Sequence, residues 1–71
     1  MSNDFLARFG STVRLLRKSK GLSQEKLAFE TGMDLTSINE IETGKRNPTL
    51  RTIVRIARVL GVTPAELVSG I

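Results

Sequence analysis

The chain contains no cysteine and no histidine. The first absence excludes a disulfide framework, and the two together exclude a Cys/His zinc site and acid–base catalysis by imidazole. No apolar run approaches the roughly 18 residues that a membrane-crossing helix needs, and no signal-peptide pattern opens the sequence. A soluble cytoplasmic protein is therefore expected, with no membrane partner, no metal and no cofactor. Repeats, low-complexity tracts and linkers are missing too. With 71 residues there is enough chain for one domain, 1–71, and too little for two. A chain of this size buries only about 60% of the surface it exposes when unfolded, so its stability is modest and self-association would add to it. Eleven Lys and Arg stand against seven Asp and Glu, a net charge of +4. That balance suits an anionic partner, although many solubilising surfaces are also basic. A carboxylate enzyme would need a nucleophile and a base placed together, and the sequence offers no such arrangement.

What the sequence does contain is organised around residues 22–44, LSQEKLAFETGMDLTSINEIETG, two short helix patterns joined by a glycine. Ser23 is an N-cap for the first, which runs to about Glu30, and Glu25 sits where the helix dipole favours an acid. Thr31 and Gly32 end it, Gly32 taking the left-handed conformation that turns the chain. Asp34 caps the second helix. At a rotation of about 100° per residue, Ile38 and Ile41 define its buried side. Thr36, Asn39, Glu40 and Thr43 then fall on or near the opposite side, with Leu35, Ser37 and Glu42 on the flanks. Small polar groups directed outward suit the major groove of B-DNA, whose base edges offer donors, acceptors and thymine methyls. Taken alone, plain solvation is the better reading of the same face, because most polar helix faces only meet water.

The flanking segments supply the rest of a helical domain. From about Asp4 to Ser19, Phe5, Phe9, Val13 and Leu16 recur at helical spacing and form one apolar face, more suited to a core than to stacking on bases. Gly10 inside this pattern costs about 1 kcal/mol relative to Ala, so any break in the helix is expected there. Lys18, Lys20 and Gly21 close it. In the helix after Ser23, Leu27 and Ala28 face inward and Phe29 points away. Thr49 is an N-cap for a fourth helix whose inward face is Leu50, Ile53, Ile56, Ala57 and Leu60. Gly61 ends that helix, and Thr63-Pro64-Ala65-Glu66 forms a capping box for a short fifth one. Leu67 is expected to reach the core. Val59, Val68 and Ile71 remain as apolar surface, a candidate dimer interface, with a frayed tail as the alternative.

The cations are unevenly placed. None lies between Lys26 and Lys45, so the helix after Asp34 has no arginine to offer a guanine. Between Gly44 and Ala65 there are five, Lys45, Arg46, Arg51, Arg55 and Arg58, and no acid.

The ordered set Leu22-Ser23-Gln24-Glu25-Lys26-Leu27-Ala28, Gly32, Ile38, Ile41-Glu42, Gly44-Lys45-Arg46-Asn47-Pro48, Ile56-Ala57 and Leu60-Gly61-Val62 is similar to the Cro and phage-repressor, or xenobiotic-response-element, helix-turn-helix family. The similarity runs from about Arg14 to Leu67. It implies an all-α bundle of about five short helices, with residues 35–43 as the recognition helix. It implies an ion pair between Arg17 and Glu42 that ties the first helix to the back of that recognition helix. It implies that Gln24 bridges the DNA backbone and the recognition helix, and that Lys45, Arg46, Asn47 and Arg51, with Thr43, face phosphates. Base contacts would come from Leu35, Thr36, Ser37, Asn39 and Glu40. Leu35 could meet a thymine methyl or equally pack across the turn, and Glu40 could accept from a cytosine amino group while repelling phosphate. Two positions depart from the commoner pattern: Leu35 stands where a polar or basic residue is frequent, and Ser37 where an aromatic is. Arg55 and Arg58 recede along the fourth helix, where solubility accounts for them.

The resemblance points to a transcriptional regulator, encoded by a prokaryote or a phage, that binds a near-palindromic duplex DNA operator as a homodimer. Phage repressors and controller proteins of restriction-modification operons have this form, and RNA polymerase would then be a further partner. Antitoxins share it as well. In that alternative the main partner is a protein, a toxin, and the acidic, cation-poor recognition helix favours it.

Overall fold

Short polar side chains fix where the helices begin. The Ser23 hydroxyl accepts from the Lys26 amide at 3.0 Å, a carboxylate oxygen of Asp34 accepts from the Ser37 amide at 2.7 Å, and the Thr49 hydroxyl accepts from the Thr52 amide at 3.1 Å. Thr63 and Glu66 form a reciprocal capping box with Pro64 at the start of the last helix. In a computed structural model that describes residues 4–70, α1 (Asp4–Ser19) is followed by four helices that these caps begin, α2 (Gln24–Thr31), α3 (Leu35–Glu42), α4 (Leu50–Leu60) and α5 (Pro64–Ser69). Among the described residues there is no strand, and no helix is long and apolar enough to cross a membrane. The five-helix, all-α architecture expected from the sequence is the one observed.

The turn between α2 and α3 is made by Gly32, whose φ of 73° lies in the left-handed region and whose amide returns to the carbonyl oxygens of Ala28 and Phe29. That conformation costs a residue with a Cβ more than it costs glycine. The chain therefore reverses within three residues, and α3 emerges packed across α2.

Ten side chains form the core: Phe9 and Val13 from α1, Leu27 and Ala28 from α2, Ile38 and Ile41 from α3, Ile56, Ala57 and Leu60 from α4, and Leu67 from α5. Each helix thus contributes to one apolar centre. Both α1 and α2 pack on α3, while α4 backs onto α2 and α5, and α5 closes against α1. This leaves α3 held from one side and open on the other.

The sequence placed a weakness at Gly10, but α1 is continuous through it. A Cβ there would collide with the backbone oxygen of Ile41 and lie 2.7 Å from that of Glu42. Glycine is present because α1 meets the backbone of α3 at this residue. Leu50 is a second correction. It shares a helical stripe with Ile53 and Ala57, yet 74% of its surface is exposed. It is the first residue of α4, and periodicity reports a face without reporting how far neighbouring elements extend along it. Phe5 is also only half covered, its ring stacked 6.1 Å from that of Phe9.

Candidate nucleic-acid interface

Four of the eight residues of α3 are buried, Ser37, Ile38, Ile41 and Glu42. Leu35, Thr36, Asn39 and the adjoining Thr43 are exposed and Glu40 is partly so, and together they form the open side of the helix. Ser37, expected to contact bases, is only 8% exposed, unlike Leu35 and Thr36 beside it. The rotation put it on a flank, where it sits against the Asp34 carboxylate that caps the helix. At the other end the Thr43 hydroxyl turns back to the carbonyl oxygen of Asn39 at 2.9 Å.

A polar cluster behind α3 fixes how that open side is presented. Arg17 donates from Nε to Oε2 of Glu42 at 2.6 Å and from Nη2 to Oε1 at 3.0 Å. Its Nη1 donates to the carbonyl oxygen of Leu22 at 2.7 Å, just before α2. Gln24 donates from its amide to the same Oε1 of Glu42 at 3.0 Å. The Arg17 and Glu42 side chains are only 8% and 1% exposed, so a forked, charge-assisted pair operates out of water, where each partner needs the other. Among the described residues no buried side-chain nitrogen or oxygen lacks a hydrogen bond. One guanidinium thereby joins α1, the entry to α2 and the inner side of α3.

Gln24 is half-buried at the first position of α2. Its bond to Glu42 uses one of its two amide hydrogens and leaves its oxygen uncommitted. It lines a shallow cleft with Arg14, Leu35, Asn39 and Thr43. Arg14 was not singled out from the sequence. The signal available was its position three residues before Arg17, which puts the two on neighbouring stripes of α1, so that Arg14 is the exposed cation on the side of α1 nearest α3.

On the far side of α3, Lys45, Arg46, Asn47 and Arg51 are all exposed. Arg46 is not directed to solvent alone: its Nε and Nη2 donate to Oε1 of Glu40 at 3.0 and 2.8 Å. The loop is thus tied to the open side of α3. The Asp34 carboxyl is held below its ordinary range, first by the Ser37 backbone amide it caps, then by the Ser37 side chain, with the charge of Arg46 a lesser cause. Cap and loop cation both act at the start of the same helix.

The candidate association residues do not form one patch. Val59 packs partly against the core and borders a depression with Lys20, Leu22 and Glu30. Val68, 40% exposed, borders a different groove with Phe5 and Thr12. Val59 thus stands at the core margin, partly exposed, and Ile71 lies outside the described residues. Phe29 is 78% exposed, with the Lys26 ammonium 5.6 Å from its ring centre.

Five helices, with the second and third crossing through a tight glycine turn and the third open and polar between two sets of cations, define a small helix-turn-helix domain. A helix-turn-helix family model matches residues 13–67. The chain belongs to the Cro/C1-type helix-turn-helix family of DNA-binding transcriptional regulators, which are not enzymes. It is 47% identical over 68 residues to control protein C.BamHI of Bacillus amyloliquefaciens, covering 94% of this chain and 84% of that one. It is 44% identical over 70 residues to control protein C.MunI of a Mycoplasma species, covering 97% and 95%. Among solved structures, the restriction-modification controller protein C.AhdI of Aeromonas hydrophila superposes with a TM-score of 0.85 at 45% identity, over 87% of this chain and 94% of that one.

Proposed function

We propose that this chain is a controller of restriction-modification genes that binds a near-palindromic operator as a homodimer, with α3 in the major groove. The observation that carries the reading is the mounting of α3: its inner side is fixed by Arg17, Glu42 and Gln24, while Leu35, Thr36 and Asn39 on its outer side stay exposed and only Glu40 there is met by a side chain, that of Arg46. A rigid support of this kind holds side chains at the precision that base recognition needs. The similarity to control proteins over nearly their whole length supports the biological role.

In this reading Leu35, Thr36, Asn39 and Glu40 meet base edges. Thr36 and Asn39 donate or accept, Leu35 meets a thymine methyl, and Glu40 accepts from a cytosine amino group. Gln24, Thr43 and Asn47 bond to phosphates on either side, with Arg14, Lys45 and Arg51 supplying charge. Three cationic contacts per half-site give a log–log salt slope near −5 for a dimer. The two copies of α3 enter successive major grooves about 34 Å apart, or 10 to 10.5 base pairs. The protein would act in the cytoplasm of a prokaryote, and its occupancy of DNA would follow its own concentration.

Selection of duplexes from a random pool by the purified protein, with its mass measured in solution, tests this. Enrichment of a two-fold symmetric site with that spacing and a dimer mass at binding concentrations is expected. A single asymmetric half-site bound by a monomer, or no enriched sequence, overturns it.

A further inference from the structure

The contact between Glu40 and Arg46 joins a residue on the base-facing side of α3 to one in the cationic loop that follows. Both donors of Arg46, Nε at 3.0 Å and Nη2 at 2.8 Å, fall on the same oxygen, Oε1. The second oxygen, Oε2, receives no hydrogen bond from the described residues. The Arg46 and Glu40 side chains are 46% and 38% exposed. An ion pair that open contributes little to folding, so its consequence lies in what it does to the carboxylate.

Two physical requirements bear on that carboxylate. A glutamate carried toward duplex DNA enters a field of phosphates and is repelled unless a cation accompanies it. A glutamate that accepts from one cytosine amino group must also present one oxygen in one direction, and a free side chain with three rotatable bonds does not. The guanidinium fork satisfies both. It neutralises the charge, and by occupying one oxygen it leaves the other as the outward acceptor.

We propose that Arg46 is a positioning residue for sequence recognition: it holds Glu40 by one carboxylate oxygen so that the other selects a C·G pair, and it does not serve as a phosphate clamp. This rests on α3 occupying the major groove. It also revises the sequence-based assignment of Arg46 to the DNA backbone. Lysine would not substitute, because an ammonium keeps the charge without the planar fork.

The test measures affinity for the selected operator and for duplexes carrying each single base-pair change, using wild type, Glu40→Gln, Arg46→Gln, Arg46→Lys and the Glu40→Gln/Arg46→Gln double variant. Both residues are open to solvent, so all variants are expected to melt with wild-type cooperativity. Glu40→Gln should lose about tenfold discrimination at one base pair. Arg46→Gln and Arg46→Lys should lose it at the same base pair, and the double variant should lose no more than either glutamine variant. A uniform drop in affinity for Arg46→Gln, with discrimination intact and Arg46→Lys close to wild type, overturns the proposal in favour of a phosphate contact and leaves the groove reading standing. Absence of any base-specific effect for Glu40→Gln overturns the proposal as well, and leaves the groove reading to Leu35, Thr36 and Asn39.

Discussion

Gly10 of α1 lies directly against the backbone oxygen of Ile41 in α3, with no room for a methyl group between them. The atoms in the way belong to the backbone, so a larger residue must displace a helix and cannot merely rotate a side chain. Gly10→Ala should therefore destabilise the protein. The alanine gains about 1 kcal/mol of helix propensity but incurs about 1 to 3 kcal/mol of overpacking. A thermal melt lower by several degrees is expected, since about 1 kcal/mol corresponds to 4–8 °C in a domain this small. An unchanged or raised melting temperature would contradict the close crossing.

Arg17→Ala should be the more damaging change. It leaves the Glu42 carboxylate buried with only Gln24 as a side-chain partner, and breaking a buried pair costs about 3 to 5 kcal/mol. That is comparable with the lower end of total stability for a natural domain, about 5 kcal/mol. Urea unfolding should show a much reduced midpoint, and DNA affinity should fall with it although Arg17 touches no base in the proposed complex. Wild-type melting together with wild-type affinity would remove this account of how α3 is held.

Acid should loosen α3 through its cap. The Asp34 carboxyl titrates below its ordinary range because its charged form accepts from the Ser37 amide. A depressed folded-state pKa means that the stabilisation is fully present above the unfolded-state value, and is lost as the pH falls through the folded-state value. At neutral pH no effect is expected. Below about pH 4, the unfolded range of an aspartate, hydrogen exchange of the Ser37 amide should accelerate. Asp34→Asn, a comparable N-cap without a charge, should abolish this dependence while keeping the helix. Exchange at Ser37 that stays independent of pH between 5 and 2, after correction for the intrinsic rate, would count against the cap.

The cations divide into two groups by what they line. Arg14 borders the cleft with Gln24, Asn39 and Thr43, whereas Arg58 lies in the last turn of α4. Arg14→Gln should reduce the salt slope of a bound dimer by about 2 without changing sequence preference, one phosphate being lost from each half-site. Arg58→Gln should leave the slope in place. Equal effects of the two, measured by titration across salt concentrations, would mean that net charge matters and position does not.

Much of this architecture was legible in the chain because its signals are local. Ser23, Asp34, Thr49 and Thr63 each precede a helix that begins within one residue of them, and the apolar spacing identified Leu27, Ile38, Ile41, Ile56, Leu60 and Leu67 as core. What escaped depends on elements distant in sequence. Gly10 looked like a weak point because helix propensity is local, whereas its cause is the backbone 31 to 32 residues away at Ile41 and Glu42. Ser37 looked like an open flank, yet it is buried in the folded chain. Leu50 kept the right period but stood at the end of its helix. The Glu40–Arg46 contact joins a helix to a loop, where no periodicity applies, and two separate assignments to DNA concealed that the residues meet.

The division of α3 into an inner half bound to the scaffold and an outer half that touches little else has an evolutionary consequence. Leu35, Thr36 and Asn39 are exposed and lie outside the buried apolar cluster, so folding constrains them less than it constrains Ile38 and Ile41. In the proposed complex, duplicated copies of such a gene could diverge in the promoters they address while keeping one body plan. Exchanging those positions as an interchangeable cassette should yield mutually insulated switches from a single parent.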